Sequence, residues 1–382
     1  MTVTAPDRPE PSSRTAIGRG ARAIARTPAS GEPRARGAMY GAKLAPLVHD
    51  HLARWLESLA RAGLGEPRAY VRRMLAETDF LTAIRAVAPD LLEELHGVAE
   101  GAGADFDLVY GLQLLDEEWA YRERRATGGK LEKCSSVAIA APGGPTWIGQ
   151  TMDLGAYTDG SQALLAIEGD DRSPDALLFT TAGMIGLMGV NDAGLGVCVN
   201  SLPQLGGAPE GVPVAFVIRR LLQCASVAEA SELVQNLPHA TNQHYLLADF
   251  SAVRSFEASA AGVTEYRPPS PDRVLHTNHP LTEVQGRPET DQARANSVAR
   301  LKSLEGRLGE GAPDAGAIKA ALSSRDDPAN PVCRIPDEDA GLIGFTTGSM
   351  VSEIGPADIA CWVSPGPPSE RGYSRFELAR RA

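Results

Sequence analysis

Five cysteines stand at positions 134, 198, 224, 333 and 361, and one of them, Cys134, heads the run CSSVAIA behind a charged, turn-rich stretch ending in Leu131, Glu132 and Lys133. A thiol at the mouth of a buried strand has two readings. It packs as a small apolar group, since free cysteine is among the most buried residue types, or it attacks an acyl carbonyl as a nucleophile and forms a thioester. No histidine is near it in sequence, which excludes neither reading, because nucleophile and base need to be neighbours only in space. The other chemistry-bearing residues offer less. His49 and His51 are two apart on a helical pattern and face different sides, which speaks against joint metal ligation. His276 and His279 flank Thr277 and Asn278 at a strand end, a His-x-x-His spacing with no third ligand cluster beside it. The glycine-rich GGAPEGVP lacks the Lys and Ser or Thr that close a phosphate-binding loop. The cysteines form no C-x-x-C pair, so neither a zinc site nor a disulfide framework is expected, and no cofactor is implied.

The elements that must position such residues divide the chain into two textures. From Gly41 to about Ala62, Leu44, Leu47, Val48, Leu52, Trp55, Leu56 and Leu59 recur at three- and four-residue intervals, one buried stripe of an amphipathic helix. Helices are also expected over 67–81 and 89–100, the second with Pro89 in its first turn and Gly101 and Gly103 past its end. After Lys133 come short apolar runs broken by Gly, Pro and Asp: SSVAIAA, TWIGQ, ALLAIEG, ALLFTTA, GLGVCVN, HYLLADF, RVLHTNH, GFTTGSMVSEI and IACWVS. These read as strands. Helical stretches at 212–237 and 291–305 interrupt them. Strands, then grouped helices, then strands predict antiparallel sheets with helices packed on them, an α+β layering.

Composition limits the partners. The 382 residues carry 37 basic and 48 acidic side chains, a net charge of -11, which repels phosphate backbones and anionic headgroups. Neither nucleic acid nor membrane is an expected partner. No apolar run approaches the roughly 18 residues that span a bilayer, and the start of the chain has no apolar signal-peptide core. An odd number of cysteines without pairs suits a reducing cytoplasm. Residues 1–36 hold seven Arg and five Pro among many Ser, Thr, Gly and Ala, a composition read as a flexible tail. Asp7, Glu10, Glu32 and the prolines disfavour an organelle leader there.

Nine short stretches then line up in order: PDLLEELHGVAEGAG with DLVYGLQLLDEE, CSSVAI, IGQTMDL, GVNDAGLGVCVNSL, YLLADF, LHTNHPL, SVARLKSL, NPVCR and CWVSPGPP. In this order and spacing the sequence from about residue 37 to the end resembles the acyl-coenzyme A:6-aminopenicillanic acid acyltransferase family. The resemblance implies an N-terminal nucleophile (Ntn) hydrolase fold, a four-layer αββα sandwich of two antiparallel sheets between helical layers. It implies that 37–133 form a mostly helical segment and 134–382 the sandwich core, one domain together. It also implies that the precursor cuts itself between Lys133 and Cys134, that Cys134 becomes the nucleophile, and that Asp153 and Asn278 are the supporting polar residues.

A cut of this kind has a chemical reason. An amide nitrogen cannot take a proton, whereas an α-amino group with a pKa of about 7.7–8.0 serves as a general base near neutral pH. The amine of Cys134 would deprotonate its own thiol, and a water or an amine would take the acyl group from the resulting thioester. Asn278 is the expected oxyanion donor and Asp153 the expected acceptor for the new ammonium. Arg300 and Arg334 are candidates for a substrate carboxylate, which a guanidinium fork matches. The expected substrate is a small amide, a peptide-like molecule or a thioester, acyl-CoA included. Lys133 departs from the family pattern, where glycine usually precedes the cysteine, and a residue with a side chain reaches positive φ only at a cost. Two other readings stay open: a biosynthetic N-acyltransferase with a dedicated amine acceptor, and an unprocessed binding protein on the same fold.

Overall fold

Apolar rhythm in the first third becomes helix, with breaks where local chemistry demands them. The computed structural model describes residues 23–125, 134–141, 143–282, 291–336 and 344–380. Strand β1 (Arg26–Ala29) is followed by α1 (Pro33–Lys43), α2 (Ala45–Arg61), α3 (Pro67–Ala76), α4 (Phe80–Val87), α5 (Pro89–Ala102), α6 (Phe106–Leu112) and α7 (Leu115–Arg124). The stripe expected from Gly41 is shared between α1 and α2, which part at Leu44 because Pro46 has no N–H to give and sits in the first turn of α2. The helix expected over 67–81 likewise divides. Asp79 accepts from the Thr82 amide and starts α4 afresh. Helix α5 ends on Gly103 at φ 62°, a left-handed position open to glycine.

The expected tail over 1–36 needs correction at its far end. Residues 26–29 pair in parallel with 164–167, Thr27 and Ala29 are buried, and Pro33 opens a helix. A short strand gains its ladder bonds from a sheet already built, which composition alone cannot show. Residues 1–22 and Lys133 lie outside the described residues.

The second texture becomes β2 (Cys134–Ala140), β3 (Thr146–Leu154), β4 (Gln162–Ile167), β5 (Ala176–Thr181), β6 (Met188–Asn191) and β7 (Gly196–Ser201). Helices α8 (Val214–Leu221) and α9 (Val227–Asn236) precede β8 (Gln243–Ala248), β9 (Val253–Ser259), β10 (Gly262–Tyr266) and β11 (Arg273–His276). The chain closes with α10 (Asp291–Leu308), α11 (Ala315–Leu322), β12 (Phe345–Ile354), β13 (Asp358–Ser364), α12 (Pro368–Arg371) and β14 (Ser374–Ala379). Eight strands form one sheet in the order β1-β4-β5-β6-β7-β8-β9-β10, and six form the other in the order β11-β2-β3-β12-β13-β14. Between these strands, among the described residues, every pairing but β1 with β4 is antiparallel.

The two sheets face each other through β2, β3, β7 and β8, with α9 on the outer side of one and α10 and α11 on the outer side of the other. Just past the end of α8, before α9, the Leu222 and Cys224 carbonyls accept from the Asn191 side chain of β6. The result is a four-layer αββα sandwich, and β2, β3, β5 and β8, covered on both faces, are buried nearly throughout.

Helices α1 and α5 meet backbone to backbone. A Cβ on Gly97 would stand 2.0 Å from the Arg34 carbonyl oxygen, and one on Gly37 1.9 Å from that of Glu94. Glu94 itself is buried between Arg36 and Arg219, 2.8 Å from each, so one carboxylate ties α1, α5 and α8. Gly97→Ala forces the helices apart and is expected to destabilise the protein by about 3 kcal/mol, read as a lower urea midpoint at unchanged slope. A midpoint within error of wild type would refute the close approach.

Candidate active site

Register brings the site together. Strand β11 pairs with β2 so that His276 faces Ser136. Continued two residues further, the same register sets Asn278 opposite Cys134. On the other flank Cys134 pairs with Met152, and Asp153 pairs with Thr346 of β12. Between Thr346 and Gly348 the β12 register slips by a residue, a bulge of the kind that re-aims side chains beside active sites. Thr346 Oγ1 donates to Asp153 Oδ1 at 2.7 Å, and the Arg334 amide donates to Thr346 Oγ1 at 2.8 Å. Asp153 is therefore a buried strand residue, 1% exposed.

The Cys134 nitrogen donates to Asn278 Oδ1 at 2.8 Å, and its sulfur lies 3.5 Å from Met152 Sδ. Helix α10 grips the same point. Arg300 Nη1 donates to the Cys134 carbonyl at 2.7 Å and to Ser135 Oγ at 2.9 Å, while Nη2 donates to Asn278 Oδ1 at 2.8 Å and Nε to Asn296 Oδ1 at 3.0 Å. Ser297, on the same helix, accepts from the Asn278 amide at 2.8 Å. Two expectations change here. Arg300 is 1% exposed and its fork is spent on the protein's own oxygens, so it holds Cys134 and Asn278 and does not meet a substrate carboxylate. Asn278 presents its oxygen to the Cys134 nitrogen and gives Nδ2 to the Ser201 carbonyl at 2.9 Å, so its contact is with the α-nitrogen, where an oxyanion donor was expected. Arg334 is half-buried at the Asp153 end of the site.

Several participants carry no sequence signal beyond their place in a strand. Ser136 Oγ donates to Asn200 Oδ1 at 2.5 Å, and His244 Nδ1 lies 2.8 Å from the same oxygen. Asn200 is fully buried, and its Nδ2 finds no acceptor among the described residues. His244 stacks on His276 with ring centroids 3.6 Å apart, and His276 Nε2 is 3.0 Å from Glu257 Oε1. Burial and the neighbouring His276 hold His244 well below the usual imidazole range. At Glu257 burial is the largest single influence and pulls upward, but His276 and the Leu281 and Thr282 donors together outweigh it, so its carboxyl is lowered. His276 thus has a carboxylate and a ring for partners. Among the described residues no three His, Cys, Asp or Glu side chains group to hold a metal.

Cys134 and Asp153 line a narrow cavity of about 30 Å³, with Asp116, Trp119, Ser201 and Gln243 among its other walls. Asp116 and Trp119 come from α7, ahead of Cys134 in the chain, so the cavity draws on both sides of that residue. Next to Asp116, Glu117 is buried and accepts from the Val214 amide at 3.0 Å and Thr241 Oγ1 at 2.9 Å. Burial, then the Asp116 charge, pushes the Glu117 carboxyl up to about 8 from 4.5. A carboxyl raised in the folded state contributes stability that is complete below about pH 4.5 and lost as pH rises through 8. Glu117→Gln is expected to flatten this fall, which is of the order of 3 kcal/mol between pH 5 and 8. Denaturant titrations across that window read it; an unchanged slope in the variant would count against a buried, neutral Glu117.

Residues 141–335 match the family of acyl-coenzyme A:6-aminopenicillanic acid acyl-transferase, just over half of the chain. The chain belongs to that family. The match contains Asp153, Asn278, Arg300 and Arg334, and it begins seven residues after Cys134. A relative, the 40 kDa form of acyl-coenzyme A:6-aminopenicillanic-acid-acyltransferase from Emericella nidulans, is 29% identical over 194 residues, 50% of this chain and 52% of that one. The chain thus spans about half the length of the relative it matches.

Among solved structures, a variant of conjugated bile acid hydrolase from Clostridium perfringens is similar at TM-score 0.46 and 12% identity, over 65% of this chain and 97% of that one. The Caenorhabditis elegans ortholog of N-acylethanolamine-hydrolyzing acid amidase is similar at TM-score 0.43 and 16% identity, over 64% of this chain and 100% of that one. Penicillin V acylase from Agrobacterium tumefaciens follows at 0.32 and 16%, over 64% and 86%. The chain's own two sheets and helical layers form the four-layer αββα sandwich that the resemblance implies.

Proposed function

We propose that this protein is an autoprocessed cysteine Ntn amidohydrolase or acyltransferase, cut between Lys133 and Cys134 and acting through a Cys134 thioester. One observation carries the reading: Cys134 heads β2 with its nitrogen 2.8 Å from Asn278 Oδ1 and with a cavity at its side chain. Freed by the cut, that nitrogen becomes an amine held by the Asn278 oxygen and able to take the thiol proton. Sulfur adds to the acyl carbonyl and the carbonyl oxygen becomes an oxyanion. Collapse expels the leaving amine, which takes the proton back from the Cys134 ammonium and leaves the thioester. Water, activated by the same amine, then releases the acid.

The matching family and relative are named as acyltransferases, which favours a second reading in which an amine replaces that water. We place the enzyme in the cytoplasm on its cysteines, which form no disulfide. No helix among the described residues is long and apolar enough to cross a membrane. N-terminal sequencing and intact mass of the purified protein test the proposal: a fragment beginning at Cys134, held with its N-terminal partner, is expected. A single uncut chain that no acylating probe labels would overturn it. Partition of the trapped acyl-enzyme between water and added amines separates hydrolase from transferase.

A further inference from the structure

We infer that the cavity beside Cys134 selects an acyl group whose tail carries an ammonium, with Asp116 as the residue that recognises it; this rests on Cys134 being the nucleophile. The charged groups lining the cavity are Asp116 and Asp153, and no Lys, Arg or His stands among its described lining residues. Asp153 is turned toward the β12 bulge, where Thr346 donates to it. Asp116 approaches from α7 and is held by neutral donors, Gln243 Nε2 at 2.9 Å and the Ser201 side chain. Around it the walls are largely apolar, Leu115, Met184, Leu187 and Ile218 among them.

A carboxylate in such surroundings lacks the countercharge that makes its ionised form cheap. Burial accordingly raises the Asp116 carboxyl, and the two neutral bonds oppose that only in part. An ammonium on the ligand supplies the missing charge. Trp119, half-buried in the same wall, offers an aromatic face, which also favours a cation. A carboxylate or phosphate in that place would meet two acids and no Lys, Arg or His side chain.

The placement relative to the sulfur follows from bonds already given. The Cys134 nitrogen rests on Asn278, Asn278 on the Ser201 carbonyl, and the Ser201 side chain on Asp116. The acyl group takes part in both half-reactions, joined to sulfur in the first and released from it in the second, so the acyl part is what this wall is placed to inspect.

The test uses matched pairs in which an ammonium replaces a methyl: β-alanyl against butyryl p-nitroanilide for turnover by the full chain, and β-alaninamide against butyramide for binding to its Cys134→Ala form by calorimetry. Wild type is expected to favour the ammonium member by about tenfold or more. Asp116→Asn is expected to bring that ratio near unity, and Asp116→Glu, which keeps the charge, to retain most of it. Equal binding of both members, or a preference that survives Asp116→Asn, overturns the inference. Labelling of Cys134 by an acylating probe is scored separately: without it the catalytic reading falls, while the binding ratio still decides the role of Asp116.

Discussion

Cys134→Ala is expected to lower kcat/KM by about 10⁴-fold or more, the scale on which a covalent nucleophile is missed, and to leave the precursor uncut. Both losses have one origin. Self-cleavage and turnover each need a nucleophilic side chain at this position, the first on the carbonyl of residue 133 and the second on the substrate's. The fold should not suffer, because Cys134 contributes a buried sulfur against Met152, and the bonds its backbone N and O make to Asn278 and Arg300 are kept by alanine. Cys134→Ser separates the two steps. A hydroxyl still adds to a neighbouring carbonyl held in place but leaves an ester where the thiol leaves a thioester, so slow cutting with weak turnover is expected. Intact mass reads the first step and amide turnover the second; a Cys134→Ala protein that is cut or turns over amides at the wild-type rate refutes both roles.

The fold was legible wherever one residue type repeats at the period of its element. The stripe through Val48, Leu52, Trp55 and Leu59 announces a helix, and SSVAIAA or ALLFTTA a covered strand, because both faces of these sheets are packed. Elements with weak patterns escaped. Strand β1 borrows its order from β4, β6 is four residues long, and β14 alternates half-buried with exposed positions at a sheet edge. None has enough buried area of its own to leave a signature.

In the site, ordered motifs named Cys134, Asp153 and Asn278, and register explains why they meet across 144 residues. What each does was not legible. Whether Asn278 turns its oxygen or its amide toward Cys134 depends on Arg300 and Ser201, and Arg300 reads in sequence as a candidate for a substrate carboxylate until α10 is laid on the end of β11. Asp116 sits in a run of three acids, which by pattern is a solvated face; only the packing of α7 against Gln243 and Ser201 turns one of them toward a cavity.

Arg300→Met should act on both stability and pH dependence. Removing a buried guanidinium strips donors from the Cys134 carbonyl, Ser135, Asn278 and Asn296, and losing charged hydrogen bonds of this kind costs about 2–4 kcal/mol after the relief of an uncharged core. Destabilisation alone would not single out catalysis, but the cation's position does. It lies on the carbonyl of the residue whose amine we assign as base, and a positive charge this close disfavours protonation of that amine. Without it the amine holds its proton to higher pH, so the ascending limb of kcat/KM against pH is expected to move up by about one unit. Arg300→Lys, which keeps the charge but not the fork, should lose part of the stability and leave the limb near its wild-type position. A limb that stays put in Arg300→Met would mean that the guanidinium braces the sheet end and does not tune the base.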